Sequence, residues 1–192
     1  MTIRRTISAL FLVAGVLLLG YAAYGYAAES VWQQYHGWLF EKTLALRAPS
    51  APIVGSVEHG PLTGKLEIPR LDIDAMVTEG DDNHSLALAV GHIPFTGLPG
   101  QSGNIGLAAH RDRLFRNLRD IRTNDRITLR TLSGDYLYSV VWSKIVQPSD
   151  VSVLKASPNE ETLTLVTCYP FYFVGDAPLR FIVRARRAAT AL

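Results

Sequence analysis

KLEIPRLDIDAMVT, residues 65–78, is the stretch from which the fold can be read. Leu71, Ile73 and Ala75 alternate with Asp72 and Asp74, the period-2 pattern of a strand with one face buried and the other wet. Working outward, the same style of short strand-forming run bounded by turn residues recurs along the chain. Strands are expected over 65–68, 71–78, 104–109, 126–132, 135–146, 163–168 and 180–186. Two short helical segments, 84–89 (HSLALA) and 112–118 (DRLFRNL), interrupt them. Many short strands and few helices in about 120 residues predict a mainly β fold, a closed or nearly closed β-barrel.

Upstream of the barrel the composition changes twice. Ala48 to Gly64, APSAPIVGSVEHGPLTG, is rich in proline and glycine and reads as a linker or an arm laid over the domain. Before it, SVWQQYHGWLFEKTLALR (30–47) predicts a helix with Ser30 as N-cap and an apolar face made by Val31, Tyr35, Trp38 and Leu39, with Lys42 snorkelling. This helix either lies on a bilayer or packs on the domain. Further back, Ile7 to Ala28 holds no charged residue. As a helix these residues span about 33 Å, enough for a hydrocarbon core of about 30 Å. Arg4 and Arg5 precede the run and Glu29 follows it, which orients the N-terminus to the cytoplasm. A cleaved signal peptide ending at Ala23-Tyr24-Gly25 is the competing reading. The apolar run exceeds the roughly 7–15 residues usual there, which favours an uncleaved anchor. The expected organisation is a cytoplasmic tail (1–6), a transmembrane anchor (7–28), a juxtamembrane helix and linker (29–64), an extracytoplasmic barrel (65–187) and a tail (188–192).

Overall composition narrows the function. Of 192 residues, 48% are hydrophobic and 19% charged, with a net charge of +2. That balance excludes a wholly disordered chain and argues against a dedicated nucleic-acid binder. The single cysteine excludes an intrachain disulfide and a cysteine-rich metal site. None of the five histidines falls in an HxH or HxxxH spacing, and no acidic cluster suggests a calcium site. No cofactor is expected.

Three polar residues sit where strands should end. Cys168 closes the run Thr164-Leu165-Val166-Thr167 just before Tyr169-Pro170, and proline ends a ladder. A thiol there is either an inert buried group or a nucleophile exposed to a cleft. His110 follows the apolar run Leu107-Ala108-Ala109, where an imidazole can exchange protons near neutral pH or simply face solvent. His92, between Gly91 and Ile93-Pro94, reads as a turn determinant. Arg180 opens the last strand, where its fork of donors can hold a carbonyl or an oxyanion, or be a solvated terminus.

Together these segments carry a resemblance. TLVTC (164–168) resembles the TLxTC box of the sortases, the cysteine transpeptidases of bacterial surfaces. TLVTCYPFYFVGDAPLRFIVRA (164–185), GHIPFTGLPGQSGNIGLAAHRD (91–112) and IPRLDIDAMV (68–77) are similar to class D sortases in particular, in matching order over about 65–187. Ala109 stands where many sortases carry glycine, a small departure.

The resemblance implies an eight-stranded closed β-barrel behind a membrane anchor, with Cys168, His110 and Arg180 catalytic. Cys168 would attack the threonine carbonyl of an LPxT-type sorting signal. Arg180 would hold the oxyanion, His110 would protonate the leaving amine, and an acceptor amine on cell wall or protein would resolve the thioacyl-enzyme. Thr167, Tyr169 and Phe171 are further candidates for substrate binding, though strand propensity explains Thr167 and core packing explains the aromatics equally well. Asp112 can orient His110 or belong to a surface turn. A cysteine endopeptidase using water, or a catalytically idle barrel serving as an assembly module, are the alternatives.

Overall fold

The computed structural model describes residues 2–46, 64–156 and 159–188. Most of the Ala48–Gly64 linker and of the 188–192 tail therefore lies outside the described residues.

Eight strands close into a barrel: β1 (Gly64–Ile68), β2 (Ile73–Glu79), β3 (Val90–His92), β4 (Gly103–Ala108), β5 (Arg126–Thr131), β6 (Gly134–Val146), β7 (Glu161–Tyr169) and β8 (Leu179–Arg187). Their order around the barrel is β1-β2-β3-β4-β7-β8-β6-β5, closed by pairing of β5 with β1. Two pairings are parallel, β2 with β3 and β4 with β7. Closure leaves no free sheet edge, and alternate side chains of each strand fill the interior. Leu66, Ile105, Leu107, Leu129, Leu163 and Leu165 are fully buried there.

The expected closed barrel is present, and the local departures have physical causes. The strand expected from residue 71 starts at Ile73, because Pro69–Leu71 form a 3-10 turn and Asp72 closes it in the left-handed region at φ 52°. No α-helix forms over 112–118. The chain turns there and enters a 3-10 turn, Arg116–Asp120, while Phe115 and Leu118 are fully buried. The apolar spacing in DRLFRNL was real but serves a turn pinned at both ends. Strand β3 was not anticipated, since Gly91 and Pro94 look like turn residues. Gly91 is instead required by proximity: a Cβ there would lie 2.2 Å from the Gly80 carbonyl oxygen. The segment expected over 84–89 is α2 (Asn83–Leu88), and Asp82 accepts from the His84 and Ser85 amides as its N-cap.

The N-terminal region is one continuous helix, α1 (Thr2–Leu46), long and apolar enough to cross a bilayer. Ser30 is therefore not an N-cap. Its hydroxyl accepts from Gln34 Nε2 within the helix, and Gly37 does not break it, since extending an existing helix costs far less than nucleating one. The C-terminal half of α1 packs on the barrel, but not through the expected apolar face. Val31, Tyr35, Trp38 and Leu39 are exposed. Phe40 is the buried apolar residue here, at 4% exposure, and polar contacts flank it: Gln33 Nε2 donates to the Leu88 carbonyl at 2.7 Å, the Met76 amide donates to Gln33 Oε1 at 2.8 Å, and Arg130 pairs with Glu41 at 2.8 Å. The face that docks thus combines one apolar residue with side chains that satisfy backbone groups and an arginine of the barrel domain.

Candidate active site

Strand parity places the site. Along β7, Leu163 and Leu165 point into the barrel, so Thr167 follows them inward and Cys168 faces outward. In antiparallel β8, Val183 and Ala185 are inward, which puts Arg180 on the outer face. Cys168 and Arg180 are direct partners across the β7–β8 ladder. On the other side, β4 runs parallel to β7 with Ala108 opposite Val166. The Ala109 amide continues the ladder by donating to the Val166 carbonyl at 3.3 Å. Ile105, Leu107 and Ala109 are inward, so His110 emerges on the same outer face as Cys168.

These three residues line one cleft of about 330 Å³, together with Arg111, Asp112, Gly175, Asp176 and Ala177. Its two walls are the segment after His110 and the β7–β8 loop. Arg111 holds them together, its Nη2 donating to the carbonyls of Phe173 (2.7 Å) and Gly175 (2.9 Å). Arg119 adds a second tie, donating to the Tyr172 hydroxyl and stacking over its ring with 5.3 Å to the centroid. Arg180 Nη1 is occupied by the Ala177 and Leu179 carbonyls at 3.1 and 3.0 Å. The guanidinium is thereby fixed, while Nε and Nη2 have no hydrogen-bond partner among the described residues and keep donors for a ligand.

Other residues take different places. Thr167 is 2% exposed, and its hydroxyl donates to the Ala109 carbonyl at 2.7 Å. It supports the cleft from inside the barrel and does not line it. Tyr169 and Phe171 form an aromatic cluster with Phe181, with centroids 5.4–6.4 Å apart. Phe171 packs on the core, whereas Tyr172, Phe173 and Val174 are exposed at the loop tip. Asp112 lines the cleft beside His110. His92 is buried, with Nδ1 2.8 Å from Glu79 and Nε2 3.1 Å from the Gly97 carbonyl, so it fixes the β3–β4 connection. His36 stacks on Trp32 in α1. Asp176 lies in the 169–179 loop that can wall a substrate groove, whereas the place of Arg111 is not legible in the sequence. Arg111 follows His110 directly, but nothing in the sequence tells which loop it reaches.

A thiol, an imidazole and a half-tethered guanidinium converge at the rim of a closed barrel, a set of groups suited to covalent chemistry at cysteine. A Sortase domain model matches residues 66–188, and the chain belongs to the sortase family. Sortase D of Bacillus subtilis (strain 168) is 37% identical over 130 residues, which cover 68% of this chain and 66% of that protein, just under two thirds of its length. A Clostridium perfringens Sortase D5 transpeptidase shares the fold at a TM-score of 0.65 and 24% identity, over 85% of this chain and 99% of its own. Sortase C1 of Streptococcus agalactiae superposes at a TM-score of 0.64 with 27% identity, over 86% of this chain and 93% of its own.

Proposed function

We propose that the chain is a membrane-anchored cysteine transpeptidase that cleaves an LPxT-type sorting signal after its threonine and transfers the acyl group to an amine. The observation that carries this reading is the pairing of Cys168 with Arg180 in the β7–β8 ladder, with His110 on the same face at the end of the adjoining strand. Cys168 Sγ attacks the threonine carbonyl, and the free donors of Arg180 stabilise the oxyanion. His110 donates a proton to the departing amine as the C–N bond breaks, leaving a thioacyl-enzyme. An incoming amine, deprotonated by His110, attacks the thioester, and the thiol is released as the new amide forms.

The open cleft takes an extended peptide along the β7–β8 loop. The positions of Arg4 and Arg5 before the apolar half of α1 orient the catalytic barrel outside the cytoplasm. A reporter fused after Leu192 is then active only outside the cytoplasm; protease access to that end from the cytoplasmic side contradicts this topology. The function is tested by mass spectrometry of the full chain in detergent with an LPxT-G/A peptide library and candidate amines. Amide products support transpeptidation, and free acid alone supports the endopeptidase alternative. Peptide consumption that survives removal of the thiol contradicts both.

A further inference from the structure

Three residues beyond His110, Arg113 leaves the barrel and inserts its guanidinium into a seat on α1. Its Nη1 donates to Glu29 Oε2 at 3.0 Å and to the Ala87 carbonyl at 3.2 Å. The guanidinium also stacks on Tyr26, 5.2 Å from the ring centroid. Gly25 lies beside the guanidinium, where a Cβ would stand 3.5 Å from Arg113 Nη2, in ordinary contact. Tyr26 and Glu29 are three residues apart and share one face of α1, while α2 supplies the Ala87 carbonyl. Glu29 is 9% exposed; a carboxylate this buried needs its partner.

The other end of this contact is the catalytic histidine's own backbone. The amides of Arg113 and Phe115 both point to the His110 carbonyl, at 3.4 and 3.1 Å. Phe115 is fully buried in the barrel. The turn that carries His110 is thus held at two points, inward by Phe115 and outward by Arg113. We infer that Arg113 is a positioning residue, through which the outer end of the anchor helix, around Tyr26 and Glu29, holds His110 in register with Cys168. The inference rests on the catalytic reading above. It makes the anchor part of the active site's support as well as a tether.

A second contact of the same kind supplies the control. Glu41 pairs with Arg130 at 2.8 Å, joining the same helix to β5. If α1 merely docks the barrel, the two pairs are equivalent. If Arg113 positions His110, only the Glu29 pair affects chemistry. The experiment uses the full chain in lipid nanodiscs, comparing wild type with Arg113→Gln, Glu29→Gln and Glu41→Gln. Two readouts are taken: kcat and KM for peptide transfer, and the pH–rate profile of Cys168 alkylation by iodoacetamide. Misplacement by about 1 Å can cost on the order of 10²-fold, so Arg113→Gln and Glu29→Gln should each lower kcat by at least about tenfold with KM little changed. Both should alter the alkylation profile, Arg113→Lys should recover part of the loss, and Glu41→Gln should match wild type. Equal effects from Glu29→Gln and Glu41→Gln, or profiles and kcat unchanged in both Arg113→Gln and Glu29→Gln, overturn the inference. Absence of turnover in wild type would instead refute the transpeptidase reading, while alkylation still reports on the coupling of Arg113 to the thiol.

Discussion

The hydroxyl of Thr167 donates to the carbonyl of Ala109 at 2.7 Å, so the residue preceding the thiol is bonded to the residue preceding the imidazole. Both lie inside the barrel, and their neighbours Cys168 and His110 emerge together on its outer face. This buried hydrogen bond adds to the β4–β7 ladder in fixing the spacing of the thiol and the imidazole. Thr167→Val keeps the shape and removes the donor. Leaving a buried acceptor unpaired costs about 1–3 kcal/mol, visible as a lower thermal midpoint, and kcat should fall with it. A variant with both values at wild-type level would show that the bond is dispensable.

Arg180 and Arg184 share the outer face of β8 but have separable duties. Losing a preorganised oxyanion donor costs about 10²–10³ in rate, and lysine keeps the charge without the planar fork. Arg180→Lys should therefore lose at least that factor in kcat/KM with its melting temperature little changed. Arg184 donates to Thr162 Oγ1 at 2.9 Å and to the Val153 carbonyl at 2.5 Å, bracing the far part of the β7–β8 face. Arg184→Lys should lower stability and leave kcat/KM near wild type. Steady-state kinetics and thermal denaturation on the same samples check the pair, and an exchange of the two phenotypes would reverse the assignment.

The histidines divide in the same way. His110→Ala should abolish turnover with the fold intact. His92→Ala should mainly reduce stability, because it strips partners from Glu79 and the Gly97 carbonyl within a buried network. Circular dichroism and peptide turnover distinguish them. Lost turnover with intact stability in His92→Ala alone would move the proton-transfer role to His92.

How far the sequence carried the reading differs from residue to residue. The alternation of Leu71, Ile73 and Ala75 against Asp72 and Asp74 is legible because burial on one face of a strand leaves a period of two. Cys168 at a strand end is legible because Pro170 stops the ladder. That β4 lies beside β7 is not, since the parallel pairing joins Ala108 to Val166 through no local signal. The same holds for the partnership of Thr167 with Ala109, which depends on that pairing. The apolar face of residues 31–42 is legible, but which face meets the barrel depends on tertiary partners: Phe40 is buried, and Gln33 and Glu41 meet Met76, Leu88 and Arg130. Resemblance brought Cys168, His110 and Arg180 together before geometry could; their own residue types left each open.

Acid stability should report on Asp125. Its carboxylate accepts from Arg70 Nε and Nη2, each at 2.5 Å, and from the Arg122 amide at 2.7 Å. The hydrogen bonds from Arg70 hold its carboxyl below the ordinary carboxylate range, against the opposing effect of burial. A carboxylate depressed in the folded state adds stability above its unfolded value, about 3.9, and loses it as pH falls through the folded one. Asp125→Asn should therefore be less stable than wild type at neutral pH, with the two curves converging as pH falls through the lowered folded-state value of Asp125. A stability difference independent of pH would refute the ionic account.

The most direct test of the central claim is intact-protein mass spectrometry of the full chain after brief mixing with an LPxT-type peptide and no added amine. The account predicts a mass increase equal to the acyl fragment ending in threonine, located on Cys168, discharged by added amine and absent in Cys168→Ala, which keeps its fold. Turnover of the peptide in Cys168→Ala, or turnover in wild type by a route that never modifies Cys168, would contradict it.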